Sequence, residues 1–429
     1  MSITDIATSK FNDSIYNLNI TPTQLSNQIS ILSTQKLIIP KNYTLDISAN
    51  GGQINNSGAI INYGTLIIDG SLNSSGIINN EFGGNITNNG TINNTGTFVN
   101  RGLFKGNYYD RVITKNGGIN NSFLLFAGGL GLSIWTSSDS GISWNETIGT
   151  SGNEWRSITS SSDGTKLAAC TGNITYGSIW TSDNSGSTWI NRVDTSVNNW
   201  NSITSSSDGN KLAACVFDNN GSIWTSDNAG STWIQRDTSG NKWNSITSSA
   251  DGSKLSAVGD DDTRIWNSIN SGVSWTNNNN SISTNWESIT SSADGTKLAA
   301  CSSFSIWNSI DSGITWTNNN NSITTDGITS FWSSITSSAD GTKLAACVSN
   351  GKIWNSIDSG ITWTNNNNSI TTDGITSIWI SITSSADGTK LAACVYYGEI
   401  WTSVDSGITW TSNNNSSGSR SWTSIKIIN

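Results

Sequence analysis

The chain has 429 residues, enough for two or three domains, and a net charge of −9. Phosphate recognition needs basic patches, so nucleic acid is excluded as a partner. There is no histidine for general-base catalysis or metal binding, and 21 tryptophans argue for a buried core rather than disorder.

Residues 1–35 are expected to form a cap. Met1 to Ile20 lacks the basic start and apolar run of a secretory signal. Thr21-Pro22 suits the first turn of a short helix, on which Leu25, Ile29 and Leu32 would share one face.

Residues 36–106 carry a short period. Gly58, Gly64, Gly70 and Gly76 are six apart, and so are Gly84, Gly90, Gly96 and Gly102. One apolar residue per short strand and an Asn-x-Gly corner predict a narrow coil along which asparagines stack. The segment resembles the β-solenoid stalks of bacterial and viral adhesins. Residues 107–118 read as a linker. The most apolar stretch, Phe123 to Trp135, is too short to span a membrane, so no membrane insertion is expected.

Residues 119–429 carry a long period. The opening tryptophans Trp155, Trp200, Trp243, Trp286, Trp332, Trp379 and Trp422 are 43 to 47 apart. Each unit continues with an Asp-Gly hairpin such as Asp163-Gly164 and a second hairpin near Asn184 to Gly186. Four short antiparallel strands make one blade of a propeller. The domain begins mid-blade at Ser122-Phe-Leu-Leu-Phe-Ala and ends on a lone first strand, Trp422 to Asn429. The predicted fold is therefore all-β: a seven-bladed β-propeller closed by its C-terminal strand, preceded by a β-solenoid stalk with a short cap.

The second hairpin repeats Ser-x-Asp/Asn-x-Gly-x-x-Trp seven times, with Asp139, Asn184, Asn228, Asn270, Asp311, Asp358 and Asp405 at its third position. It resembles the Asp-box, or BNR, repeat of sialidase-like propellers. The resemblance places these boxes on outer hairpins away from an active site, so their carboxylates are read as structural. A short Asx or Ser side chain caps turn N–H groups there.

Sialidases of this kind clamp a carboxylate with three arginines. The slot after the opening Trp here holds Arg156, Asn201, Asn244, Glu287, Ser333, Ile380 and Thr423, one arginine and one glutamate. The chain is accordingly expected not to be an enzyme and to carry no cofactor, metal or catalytic residue. A glycoside hydrolase needs two facing carboxylates; Glu287 and Glu399 are the candidates, and the sequence does not pair them. Cys170, Cys215, Cys301, Cys347 and Cys394 recur at one repeat position and are read as buried hydrophobes.

Two connections vary between repeats while the strands barely change: those from second to third strand, and those between blades. Both are expected on one face. Tyr176, Phe217, Phe304, Tyr396 and Tyr397 stand there among amides and hydroxyls, with Asp260, Asp261 and Asp262 as a solvated acidic turn. These eight residues are the candidate ligand contacts. The leading expectation is a surface-display protein, on a virion or a cell, whose stalk presents a propeller that binds a glycan or a protein. Self-association through the stalk is compatible with this layout. The alternatives are a glycoside hydrolase and an assembly scaffold similar to the propeller-type photosystem II assembly factor.

Overall fold

Alternation of side chains in and out, with period two, governs the strands of the first part of the chain, whereas strands such as Leu167–Thr171 and Leu212–Val216 are buried on both faces. The structure is a computed structural model that describes residues 15–17, 23–25, 28–47, 51–80, 85–88, 91–94, 97–100, 103–106, 119–120, 123–172, 177–192, 198–236, 240–260, 264–277, 285–319, 331–365, 378–412 and 420–428. No helix occurs among the described residues. The chain divides into two units, one ending at Phe123 and one spanning Leu124–Ile428.

In the first unit, strands from Ile15–Asn17 to Ile119–Asn120 form parallel sheets of six, five and four strands. Up to Leu103–Gly106 each strand pairs with the third one before or after it, so the chain winds three strands per turn; Ile119–Asn120 adds to Thr97–Asn100. Where Asn62 faces Asn80 the turn takes 18 residues, three of the six-residue steps read in the sequence. One side chain in two points inward, and Ile54, Ile60, Leu66, Leu72 and Ile78 belong to one continuous core. Asparagines stack between turns: Asn62 Nδ2 donates to Asn80 Oδ1 at 2.7 Å, and Asn73 Nδ2 to Asn55 Oδ1 at 3.0 Å. A Cβ on Gly58 would lie 2.1 Å from the Leu32 carbonyl oxygen, so this corner admits only glycine.

The helix expected after Thr21-Pro22 is absent. Thr23–Leu25 and Gln28–Ile31 are strands of the coil. Ile29 and Ile31 both enter the core while Leu32 is exposed, a two-residue alternation that a helix cannot produce. The 107–118 linker lies outside the described residues.

In the second unit, four consecutive repeats, from Trp200–Ser205 to Thr364–Asn365, form separate four-stranded antiparallel sheets. The remaining repeats join into one 12-stranded sheet around the junction of the second unit's first and last strands. Arg420–Ile428 pairs antiparallel with Leu124–Leu132, in register Leu125↔Ile427 and Ala127↔Ile425. The C-terminal strand therefore supplies the first strand missing from the opening repeat.

The tryptophans of each repeat cluster together. Trp155 meets Trp180 edge-on at 5.9 Å and Trp189 at 6.3 Å, and Trp286 repeats this with Trp307 and Trp316. Trp422 joins Trp144 at 6.2 Å, so it completes the cluster of the opening repeat. The neighbouring sheet packs Ala and Cys against these rings, as Ala299 and Cys301 do against Trp332 and Trp354. All five cysteines are buried and free. Burial pushes the Cys170 and Cys347 thiols up to about 12.

The first strands opened by Trp200, Trp243, Trp286, Trp332 and Trp379 have a strand partner on one edge only, and serine bonds run between first strands of successive repeats. Ser157 Oγ accepts the Ile203 N–H of the next repeat at 3.3 Å; Ser202, Ser245, Ser288, Ser334 and Ser381 do the same for Ile246, Ile289, Ile335, Ile382 and Ile425. Ser424 then accepts from Ile158 at 3.2 Å, which returns the series to its start.

Candidate functional site

Every first strand is irregular at one place. Pairing with the second strand shifts register between Trp155 and Ser157, and likewise in the repeats opened by Trp200, Trp243, Trp286, Trp332 and Trp379. The C-terminal strand shifts opposite Gly128/Gly129, between Trp422 and Ser424. A bulge of this kind re-aims the side chain of the extra residue. The extra residues are the variable slot: Arg156, Asn201, Asn244, Glu287, Ser333, Ile380 and Thr423. All seven line one axial cavity of about 480 Å³ together with Tyr396 and the bridging serines.

Four slot residues face inward on the ring itself. Asn201 Nδ2 donates to the Asn244 carbonyl at 2.8 Å, Asn244 Nδ2 to the Trp286 carbonyl at 2.7 Å, Ser333 Oγ to the Trp379 carbonyl at 2.7 Å, and Thr423 Oγ1 to the Trp155 carbonyl. Arg156 lies 3.7 Å from Glu154, and both side chains are partly exposed. Gly172 makes room for it, since a Cβ there would stand 2.7 Å from Arg156 Cγ.

Glu287 is the carboxyl of the cavity lining. Burial raises its pKa, the negative charge of Asp260 raises it further, and a 3.3 Å bond from the Ser303 hydroxyl opposes both. Asp260 is held by Asn244 Nδ2 at 2.5 Å. Asn244 thus bridges the acidic turn to the ring.

A second cavity of about 480 Å³ adjoins the first, sharing Arg156, Asn201 and Asn244 with it and adding Phe217, Asn199 and Glu154. The two form one groove with a basic, an acidic and an aromatic wall. Of the expected ligand contacts, Phe217 and Tyr396 line this groove, and Asp260 is bonded to Asn244 of its lining. Tyr397 stacks on Tyr396 at 4.2 Å, and Phe304 pairs with Phe331 at 5.1 Å, both rings exposed. Tyr176, Asp261 and Asp262 lie outside the described residues. Glu399 accepts a bond from Ser412 and is not part of the cavity lining, so it does not pair with Glu287. Sequence reasoning left Asn201, Asn244 and Arg156 out of the candidate ligand contacts. Their signal was a variable slot inside an otherwise fixed strand.

The boxes at the second hairpin are local networks. Ser309 Oγ donates to Asp311 Oδ1 at 2.7 Å and accepts from Gly313 N at 2.9 Å, while Asp311 Oδ1 accepts from Thr315 N at 2.9 Å. The same bonds hold Asp139, Asn184, Asn228, Asn270, Asp358 and Asp405. None of these residues lines the groove.

No family model and no curated protein sequence matches the chain. Its fold is similar to that of the GH74 xyloglucanase from Xanthomonas campestris, with 13% identity and a TM-score of 0.53 over 71% of this chain and 52% of that one. It is also similar to YCF48 bound to D1 peptide, with 12% identity and a TM-score of 0.50 over 66% of this chain and 92% of that one. An ancestral GH74 enzyme is 12% identical, with a TM-score of 0.48 over 68% and 53% of the two chains. The chain spans about half the length of the GH74 xyloglucanase. The likeness gives the second unit a β-propeller fold.

The expectation that the chain is not an enzyme is corrected by this comparison, because a GH74 xyloglucanase is among the solved structures that share its fold. That expectation leaned on a missing arginine triad. Glycoside hydrolysis needs paired carboxyl groups instead, and their pairing is a property of the folded ring that the linear sequence hides.

Proposed function

We propose that the larger unit is a seven-bladed Asp-box propeller with glycoside-hydrolase character, whose axial groove binds a glycan. Glu287 is its general acid and Asp260 the second carboxyl group. Residues 36–106 of the first unit form a β-solenoid. The observation that carries the reading is Glu287: a carboxyl in a cavity, kept toward its protonated form by burial and by a neighbouring acid. Such a group can give a proton to a glycosidic oxygen, and a second carboxyl group completes the pair that glycoside hydrolysis needs. Phe217 and Tyr396 supply ring faces, and Asn201 and Asn244 supply amides, for sugar hydroxyls and ring faces.

Turnover of a panel of β- and α-linked oligosaccharides by the intact protein tests this. Glu287→Gln is expected to lower kcat by about 10³-fold with KM little changed. Wild-type turnover is expected to fall as pH rises through the raised pKa of Glu287. A panel with no turnover removes the reading.

A second reading is peptide binding in the same groove, favoured by the likeness to YCF48 bound to D1 peptide over 92% of that chain. A peptide-array hit competed away by oligosaccharide would support a shared groove, and Phe217→Ala would weaken it.

A further inference from the structure

Two neighbouring clefts lie between sheets, away from the groove. The first, of about 220 Å³, separates the repeat opened by Trp155 from that opened by Trp200; Lys166, Thr181, Asp183 and Arg192 line it. The second, of about 310 Å³, repeats the first one repeat later, with Lys211, Thr225, Asp227 and Arg236. Each therefore brings two cations against one carboxylate, in a chain whose net charge is −9.

The arginines are oriented. Arg192 Nε donates to Thr181 Oγ1 at 2.8 Å, and Arg236 Nε to Thr225 Oγ1 at 2.8 Å, which fixes each guanidinium plane along the cleft wall. Each cleft also has one aliphatic side, Ile190 or Ile234, both about half exposed.

Later repeats close the same place. The Thr–Arg pair of these two repeats becomes Asn267–Asn278, Asn308–Asn319 and Asn355–Asn366. Asn308 Nδ2 reaches across to the Ser359 carbonyl at 2.9 Å, and Asn355 Nδ2 to the Gly407 carbonyl at 3.3 Å. The amides of Asn308 and Asn355 thus bond the backbone of the next repeat across the inter-sheet gap. Thr181 and Thr225 set a methyl there, against Gly230 and Gly272, and turn the hydroxyl to the arginine.

We infer that the two clefts are paired subsites for an anionic polysaccharide, each taking one carboxylate or sulfate group of a repeating sugar. Duplication of the same cation pair one repeat apart fits a ligand whose charge recurs along a chain. Hydroxyl lining from Ser182, Ser205, Ser226 and Ser248 fits a sugar more closely than an apolar peptide side chain.

Calorimetric titration of the intact protein with polygalacturonate, heparin, neutral dextran and poly-glutamate tests the inference. Polygalacturonate or heparin is expected to bind with an affinity that falls as salt rises, and dextran not to bind; the stronger of the two acidic polymers identifies the group as carboxylate or sulfate. The double variant Arg192→Gln/Arg236→Gln is expected to lose about tenfold or more in affinity. Thr181→Asn/Thr225→Asn, which copies the later repeats and keeps both arginines, is expected to lose as much. Failure of both acidic polysaccharides to bind, unchanged affinity in both double variants, or equal binding of poly-glutamate would each overturn it. Glu287→Gln leaves this binding unchanged, so the result stands apart from the hydrolase test.

Discussion

At the scale of the residue, serine does the connecting work in this chain. In each box one hydroxyl donates to the Asx side chain and accepts from the glycine N–H, so removing it strands buried groups. Ser309→Ala is expected to cost about 1–3 kcal/mol, read as a lowered Tm in a thermal melt. In the other hairpins Asp251, Asp294 and Asp340 sit at about 2, well below the ordinary value of 3.8, first because of the hydroxyls of Ser249, Ser292 and Ser338 and then because of turn N–H groups. Their folded pKa is depressed, so the stabilisation is complete above the unfolded value and is lost as pH falls through the folded one. Thermal melts are expected to be flat above about pH 5 and to drop between pH 4 and pH 2; a flat profile to pH 2 would show that these turns contribute nothing. The box chemistry was legible in the sequence because it is local, and the motif Ser-x-Asp-x-Gly contains all of its own partners. Glu287 was visible only as a charge in a slot. Its partner Asp260 stands in the preceding repeat, 27 positions earlier, and only the fold brings their charges together.

At the scale of the element, the first strands carry both architecture and site. Their outward side joins the sheet, their free edge is bridged by serine, and their bulge turns one residue toward the axis. The strand pattern and the C-terminal completion were readable because period two and the missing first strand are sequence properties. The bulge was not, since a register shift depends on which residues the partner strand offers. The helix expected near Thr21-Pro22 shows the opposite failure: a helix-start signal was read correctly, and the alternation of Ile29 and Ile31 outweighed it. Deleting residues 422–429 removes Trp422 from its cluster with Trp144 and strips the partner edge from Leu124–Leu132. A Tm lowered by well over 10 °C, or loss of a cooperative melt altogether, is expected by differential scanning calorimetry; an unchanged melt would rule out closure by this strand.

At the scale of the whole second unit, seven serine-to-backbone bonds link each repeat to the next and the last back to the first. The period of the tryptophans made that ring predictable. Where the repeats differ was harder to interpret, because one repeat position can face the axis, an inter-sheet gap or solvent. The slot after the opening Trp faces the axis and builds the groove, while the Thr–Arg pairs of two repeats and Asn308 and Asn355 of later ones lie at the gaps between sheets. Variation among near-identical repeats is thus sorted by geometry into distinct surfaces.

The bond between Thr423 and Gly128 spans 295 residues. Closing a loop of that length carries an entropic penalty of about 5 kcal/mol beyond a constant, which the last strand must overcome in one step. The middle repeats can assemble from neighbouring stretches of chain, but the edge of Leu124–Leu132 that Arg420–Ile428 pairs with stays open until that strand docks. Arg156 and Thr423, on opposite sides of that seam, come into register only then. The lining of the axial cavity is therefore the last part of the second unit to be completed, because Thr423 reaches it only when that strand docks.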